Sequence, residues 1–368
     1  MTILFLALKN KCFGGIFMLN DLKGKIQTVT GVIDPDELGF TLMHEHVFID
    51  LTVFFNTPEA ATKLDIAKQS VSNENIHFVR YHPLENEDNL RLTDEDVMRK
   101  EVMKFKEAGG KSLVDMSTIG LHGDPDALSR ISRSVGINII KGTGYYVSSA
   151  QTEEIKSKSI DELALSIIKE IEVGFGNTGI KAGIIGEVGC LAPMTEFEKK
   201  SLKATAIAQQ KTGVMINIHP SYRDDLVLEN VKILKEAGAD MTHVVTSHAD
   251  FCEFTDEAIH KLFDMGCCVE FDTFILEGYY GYYDGYYKVN PTDGERVRKI
   301  IQLINEGYIS QILASTDICY KHFLTKYGGP GYAHMLRNAI PMMRSLGMSN
   351  EQINTIFIEN PKRMLSIK

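Results

Sequence analysis

Short apolar runs alternate along this chain with longer stretches in which apolar residues recur every three or four positions. The runs are Lys111–Thr118, Ile137–Gly142, Ala182–Gly189, Val214–His219, Val244–His248, Cys267–Asp272 and Ile312–Asp317. Runs this short, rich in Val and Ile, predict strands covered on both faces. Between them the periodicity predicts helices over Asp124–Val135, Ile160–Val173, Leu226–Ala237 and Thr255–Met265, with two more from Thr195 to Gly213 and from Thr292 to Gly307. An earlier helix follows Thr93, with Val97, Met98, Val102 and Phe105 as its stripe, and two final ones lie near Ala333–Leu346 and Asn350–Ser366. Glycine stands where helix after helix must turn back into a strand, at a left-handed position that it fills at least cost. Thr93-x-x-Asp96, Thr195-x-x-Glu198 and Thr292-x-x-Glu295 read as N-terminal capping boxes.

Upstream, Lys25–Ile33 alternates loosely and Asp34-Pro35-Asp36 makes a turn, a short hairpin leading into a first core strand at Phe40–Met43. Counted from Phe40 there are eight strands, each followed by a helix. This predicts an α/β fold, a (β/α)8 TIM barrel with a short N-terminal β-hairpin and long βα loops, in a single domain over residues 21–368. An open doubly wound sheet is the alternative, and it would favour a glycine-rich phosphate loop after the first strand. His44-Glu45-His46 stands there instead. Residues 47–92 read as an extended loop with a short helix. Residues 1–20 read as a poorly structured extension, with Met18 an alternative start and a degenerate export signal the weaker reading.

Composition narrows the function classes. The 368 residues are 44% hydrophobic and 24% charged, the balance of a soluble globular protein. A formal charge of −10 argues against a nucleic-acid partner. No apolar run approaches the ~18 residues of a membrane span. The six cysteines lack any paired spacing and read as reduced thiols of a cytoplasmic protein.

The chemistry gathers at the strand ends, where a (β/α)8 barrel carries its site. The first strand ends in His44 and His46, the fourth carries Glu187, the fifth ends in His219, the sixth in His248 and the eighth in Asp317. Buried unpaired charges would be costly there, so a shared cation is expected. Six N/O ligands exceed what one catalytic zinc takes. Two divalent ions are therefore expected, zinc foremost, with manganese, cobalt, iron or nickel as alternatives. His44, His46 and Asp317 go to one ion and His219 and His248 to the other, with Glu187 between them. Such a pair would supply a bridging hydroxide, with Asp317 as the catalytic proton acceptor, for hydrolysis of an amide, ester, lactone or phosphoester of a small molecule. Tyr145, Tyr146, Tyr222, Arg223 and Asp272 are the candidate substrate residues. Arg223 would either fork onto a substrate anion or pair with Asp224 or Asp225. Asp272 would touch substrate or orient a ligand. The tyrosine-rich stretch 278–287 would be a lid or a surface contact. His122, His322 and His334 are more distant candidates. The rival reading is a non-catalytic barrel that keeps its metal.

The pattern of His-x-His on strand one, single histidines ending strands five and six, and Asp on strand eight resembles the phosphotriesterase family of the amidohydrolase superfamily. Gly183–Cys190, Tyr327-Gly328-Gly329-x-Gly331-Tyr332-x-His334 and Glu359-Asn360-Pro361-Lys362 are similar to the phosphotriesterase-related proteins in particular. The resemblance runs from about Lys25 to the C-terminus. It implies a binuclear hydrolase of small molecules, acting on amides of N-acylated amino acids or amino-sulfonates, with lactones or phosphoesters as the alternative, and a homodimer. Many members bridge their ions with a carboxylated lysine. Here the fourth strand offers Glu187, and Lys181 begins that strand at the opposite rim.

Overall fold

The computed structural model describes residues 22–252, 254–283 and 286–368. The expected extension at residues 1–20 lies outside them. Eight parallel strands form one sheet: β1 (Thr41–Glu45), β2 (Ser112–Asp115), β3 (Asn138–Thr143), β4 (Ile184–Gly189), β5 (Ile216–His219), β6 (Val244–Thr246), β7 (Cys268–Phe271) and β8 (Ile312–Ala314). Each pairs with the next in chain order. The two ends of the sheet meet where the Asp317 N–H donates to the His44 carbonyl at 3.1 Å, which rounds the sheet into a barrel. Seven regular helices pack outside: α1 (Glu95–Glu107), α2 (Pro125–Val135), α3 (Ile160–Glu172), α4 (Glu196–Thr212), α5 (Asp224–Glu236), α6 (Asp256–Asp264) and α7 (Asp293–Asn305). Their starts and stops follow the chain's chemistry. Thr195 and Thr292 form reciprocal capping boxes with Glu198 and Glu295. Helix α2 opens on Pro125 and closes on Gly136 at φ 74°, a conformation that a Cβ would strain.

Two apolar layers give the barrel its polarity. Met43, Val114, Ile140, Ile184, Met215, Val245, Cys268 and Leu313 fill the interior, and Ile26, Leu38, Met364 and Leu365 close its floor. The N-terminal hairpin pairs Ile26 with Ile33 and is tied to the chain end, the Gly24 N–H donating to Ile367 O at 2.7 Å. With the floor plugged, only the opposite mouth can receive a ligand. There the interior turns polar, with Asn217, Ser247 and Glu270 fully buried.

At two places the ladder slips by one residue. Met43 and His44 of β1 together face the single residue Val114, because the register runs Leu42 to Leu113 and then Glu45 to Asp115. Gly186 and Glu187 of β4 likewise face Asn217. A slip of this kind bends the strand and re-aims a side chain. Gly186 is required there, since a Cβ would lie 2.5 Å from the Asn217 carbonyl oxygen.

The structure corrects the sequence reading in several details. The cap of α1 is Asp94, whose carboxylate accepts from the Val97 N–H at 3.1 Å, and not Thr93. Residues 47–92 are more ordered than a loop, with helices at Ala61–Lys68 and Ile76–Val79 and a two-residue ladder between Ile49–Asp50 and Arg91–Leu92. The two last helices are interrupted by π turns at Met335–Ala339 and Thr355–Glu359. Pro341 and Pro361 follow closely, and each lacks the N–H that an α-turn would need. The tyrosine-rich stretch is an antiparallel hairpin, Gly278–Tyr283 with Tyr286–Asn290.

Arg296 braces the mouth. Fully buried on α7, it donates to Asp250 at 2.6 Å, Asp293 at 3.3 Å, Thr273 Oγ1 at 3.1 Å, and the carbonyls of Pro291 and Leu276 at 2.7 Å. It thus joins the loops after β6 and β7 to both roots of the hairpin. Arg296→Met would leave two buried carboxylates without their cation, so urea unfolding should show a loss of about 3–5 kcal/mol.

Candidate metal centre

His44, His46, Glu187, His219, His248 and Asp317 converge at the open mouth. All but Asp317 are almost wholly buried. Glu187 is central. Its Oε1 lies 3.4 Å from His46 Nε2, and its Oε2 lies 3.0 Å from His219 Nδ1 and 3.4 Å from His248 Nε2. Asp317 Oδ1 is 3.3 Å from His46 Nε2 and 3.9 Å from His44 Nε2. Three overlapping groups of donor atoms result, each within 4.8 Å: His44 with His46 and Asp317, Glu187 with His219 and His248, and His44 with His248 and Asp272.

The ring orientations are fixed from behind. Asp272 accepts from the His248 backbone N–H at 3.0 Å, lies 2.9 Å from His248 Nδ1 and 3.3 Å from His44 Nδ1. This carboxylate orients His248, while His44 Nδ1 is hydrogen-bonded to Ser247 Oγ at 3.1 Å, and both Nε2 atoms face the centre. His46 Nδ1 rests on Ser117 Oγ at 3.0 Å. His219 is reversed, with Nδ1 inward and Nε2 on the Tyr222 hydroxyl at 3.0 Å. Two of the ligand candidates have left-handed backbone, His248 at φ 58° and Asp317 at φ 46°. Non-glycine residues there cost about 1–3 kcal/mol each and cluster at functional sites.

The electrostatics favour a cation. Burial opposes the charge on Glu187, but the imidazoles of His219, His248 and His46 outweigh it and hold the carboxyl well below its usual range. Burial also opposes a charge on His46, yet Asp317 and Glu187 push it up to about 10. Burial wins at His44 and His219, which are lowered. Two buried polar atoms, His44 Nε2 and Asp317 Oδ1, have no hydrogen-bond partner among the described residues, and both point into the cluster. Convergent imidazole and carboxylate donors with orphaned lone pairs fit divalent ions of the zinc or manganese type.

Around the cluster, Tyr146, Tyr222, Phe251, Leu276, Tyr280, Tyr320 and Phe323 form the wall, completed by Ile49, Leu51, Phe54 and Leu84 from the first loop. No Lys or Arg lines it among the described residues. The Tyr280 and Tyr320 hydroxyls meet at 2.6 Å, joining the hairpin to the segment after β8.

Of the five candidate substrate residues, Tyr146 and Tyr222 line this wall. Asp272 lies behind the histidines. Tyr145 and Arg223 do not reach the pocket. Tyr145 is one residue from Tyr146 and so turns to the helix layer, edge-on to Phe197 with its hydroxyl 3.4 Å from Leu163 O. Arg223 precedes α5, is 69% exposed and forks onto Asp225 at 3.1 and 2.8 Å. His334 holds Asp293 at 2.6 Å, His322 holds Asn89 at 3.0 Å, and His122 is exposed in a cleft outside the barrel. Sequence reasoning missed the wall contributed by the first loop and the two ladder slips. Gly186 inside an apolar strand was the available signal for one slip.

The chain is similar to known proteins over most of its length. The Phosphotriesterase family profile matches residues 24–365. An N-acetyltaurine hydrolase of Dictyostelium discoideum is 39% identical, covering 94% of this chain and 98% of its own. A phosphotriesterase-related protein of Nematostella vectensis is also 39% identical, over 94% of this chain and 99% of its own. Among solved structures, a resiniferatoxin-binding protein from Rhodobacter sphaeroides superposes with a TM-score of 0.88 at 34% identity, over 94% of this chain and 96% of that one. The chain belongs to the phosphotriesterase family and is a metal-dependent hydrolase of that kind.

Proposed function

We propose that this protein hydrolyses the amide bond of a small N-acylated amino acid or amino-sulfonate, with two divalent ions held by His44, His46, Asp317, His219 and His248 and shared through Glu187. The observation that carries the reading is the Glu187 carboxylate, one oxygen beside His46 and the other beside His219 and His248. Relatives that match this chain end to end are named N-acetyltaurine hydrolases, which supports an amide of that class.

Ions in such a site supply Lewis acidity toward the scissile carbonyl and ionise water near neutral pH. The protein's own groups do the rest. Asp272 and Ser117 hold the histidine rings so that their inner nitrogens keep lone pairs. Asp317 accepts the proton of the attacking water at Oδ1 and returns it to the leaving nitrogen as the C–N bond breaks. Tyr146, Tyr222 and Tyr280 enclose the acyl group and exclude bulk water. A second reading, hydrolysis of a neutral lactone or ester, is favoured by one feature, the apolar wall without Lys or Arg among the described residues.

Asp317→Asn should leave the fold intact and lower kcat by about 10²–10⁴, the usual contribution of a positioned acid–base group. Assays on a panel of N-acyl amino acids, N-acyl amino-sulfonates and lactones check this and separate the two readings. Equal turnover by both proteins, or none by either, sinks the proposal.

Ion retention should weaken as pH falls. A proton and an ion compete for His46 Nε2, and the proton is held tightly below the value of about 10 to which Asp317 and Glu187 raise that ring against its burial. Chelator titrations at pH 8 and pH 6 should show release at lower chelator concentration in the acid sample, by about tenfold per pH unit for each displaced proton. Retention independent of pH would contradict this ligand set.

A further inference from the structure

We infer that Glu45, the middle residue of His44-Glu45-His46, is a positioning residue that closes the barrel seam and sets Asp317 for the ion it shares with His44 and His46. This rests on the metal reading of the site above. The strands β1 and β8 are the two ends of the sheet, and no ladder joins them. The Glu45 side chain crosses the seam in its place. Its Oε1 accepts from Ser315 Oγ at 2.8 Å, from the Thr316 N–H at 2.9 Å and from Thr316 Oγ1 at 2.5 Å. Its Oε2 accepts from the Ile318 N–H at 3.0 Å. The donors flank Asp317 on both sides.

Two further bonds close the loop. The Asp317 N–H donates to His44 O at 3.1 Å, and the His44 N–H donates to Ser315 Oγ at 3.0 Å. The backbone of residues 315–318 is therefore held across the seam by bonds to residues 44 and 45. This grip holds Asp317 at φ 46°, a backbone state that a free Asp seldom adopts. Glu45 is fully buried, and burial pushes its carboxyl up to about 7. The four donors facing its two oxygens pull the other way. Glu45 touches neither the pocket nor the inner lone pairs, so its effect passes through Asp317 and His44.

The test compares the full chain with Glu45→Gln, each loaded with zinc or cobalt(II). Gln keeps the volume but must turn an NH2 toward either Ile318 N–H or the three donors at Oε1. Two ions per chain are expected in the parent protein. In the variant, one of them should be lost to a chelator at about 10–100-fold lower concentration, the usual effect of removing a group that orients a ligand. The visible spectrum of the cobalt form should change with it. Thr316→Val removes one donor and should shift retention in the same direction by less, which keeps the test open where the Gln variant does not fold. Equal retention of both ions and an unchanged cobalt spectrum in both variants overturn the Glu45 assignment alone, even where thermal stability falls. A parent chain that holds no ion overturns the metal reading and the assignment with it.

Discussion

Burial of ionisable groups is the constraint on which the rest of this molecule turns. Four imidazoles and two carboxylates occupy the mouth of a barrel whose interior and floor are apolar. Water cannot solvate them fully, and none can be withdrawn without exposing its neighbours. The remedy is mutual. Each group is held by another, and the inner lone pairs are left for cations. This explains why so many bonds behind the histidines go to Asp272, Ser117, Ser247 and Tyr222, side chains that satisfy the outer nitrogens and turn the inner ones toward Glu187 and Asp317.

The backbone bends to meet that constraint. Regular strands alternate their side chains, which would give the mouth fewer inward groups than six ligands require. The slips at Met43–His44 and Gly186–Glu187 add inward positions on β1 and β4, and the left-handed residues His248 and Asp317 add turns at β6 and β8. Each of these four irregularities lies at a ligand candidate, and the rest of the barrel ladder stays regular. The Arg296 network does the same work one layer out, where the loops leave the strands.

The barrel and the six residues that converge at its mouth were legible because both are periodic. Eight apolar runs, helix stops at glycine, and a His or acid closing a run all recur at intervals that one chain displays without its relatives. His44, His46, His219, His248, Glu187 and Asp317 stand out for that reason. What lay hidden depends on single contacts between distant segments. Arg223 read equally as an anion clamp or as a partner of Asp224 or Asp225, and only the folded structure shows it on Asp225. Tyr145 and Tyr146 were equal candidates because the strand's parity at its end is unreadable. Ile49, Leu51 and Phe54 gave no signal, since an irregular segment carries no period. The cap of α1 moved by one residue because Asp94 competes with Thr93 for the same N–H groups.

Asp272 carries a consequence of its own. One carboxylate sits behind the outer nitrogens of His44 and His248 and forms a third donor group with them, while each ring also belongs to one of the other two groups. The two halves of the centre therefore share a degree of freedom. Whatever draws one ring inward also sets the carboxylate against the other ring. By thermodynamic reciprocity the favour is returned in equal measure. A substitution that shifts one ring therefore reaches the other through Asp272.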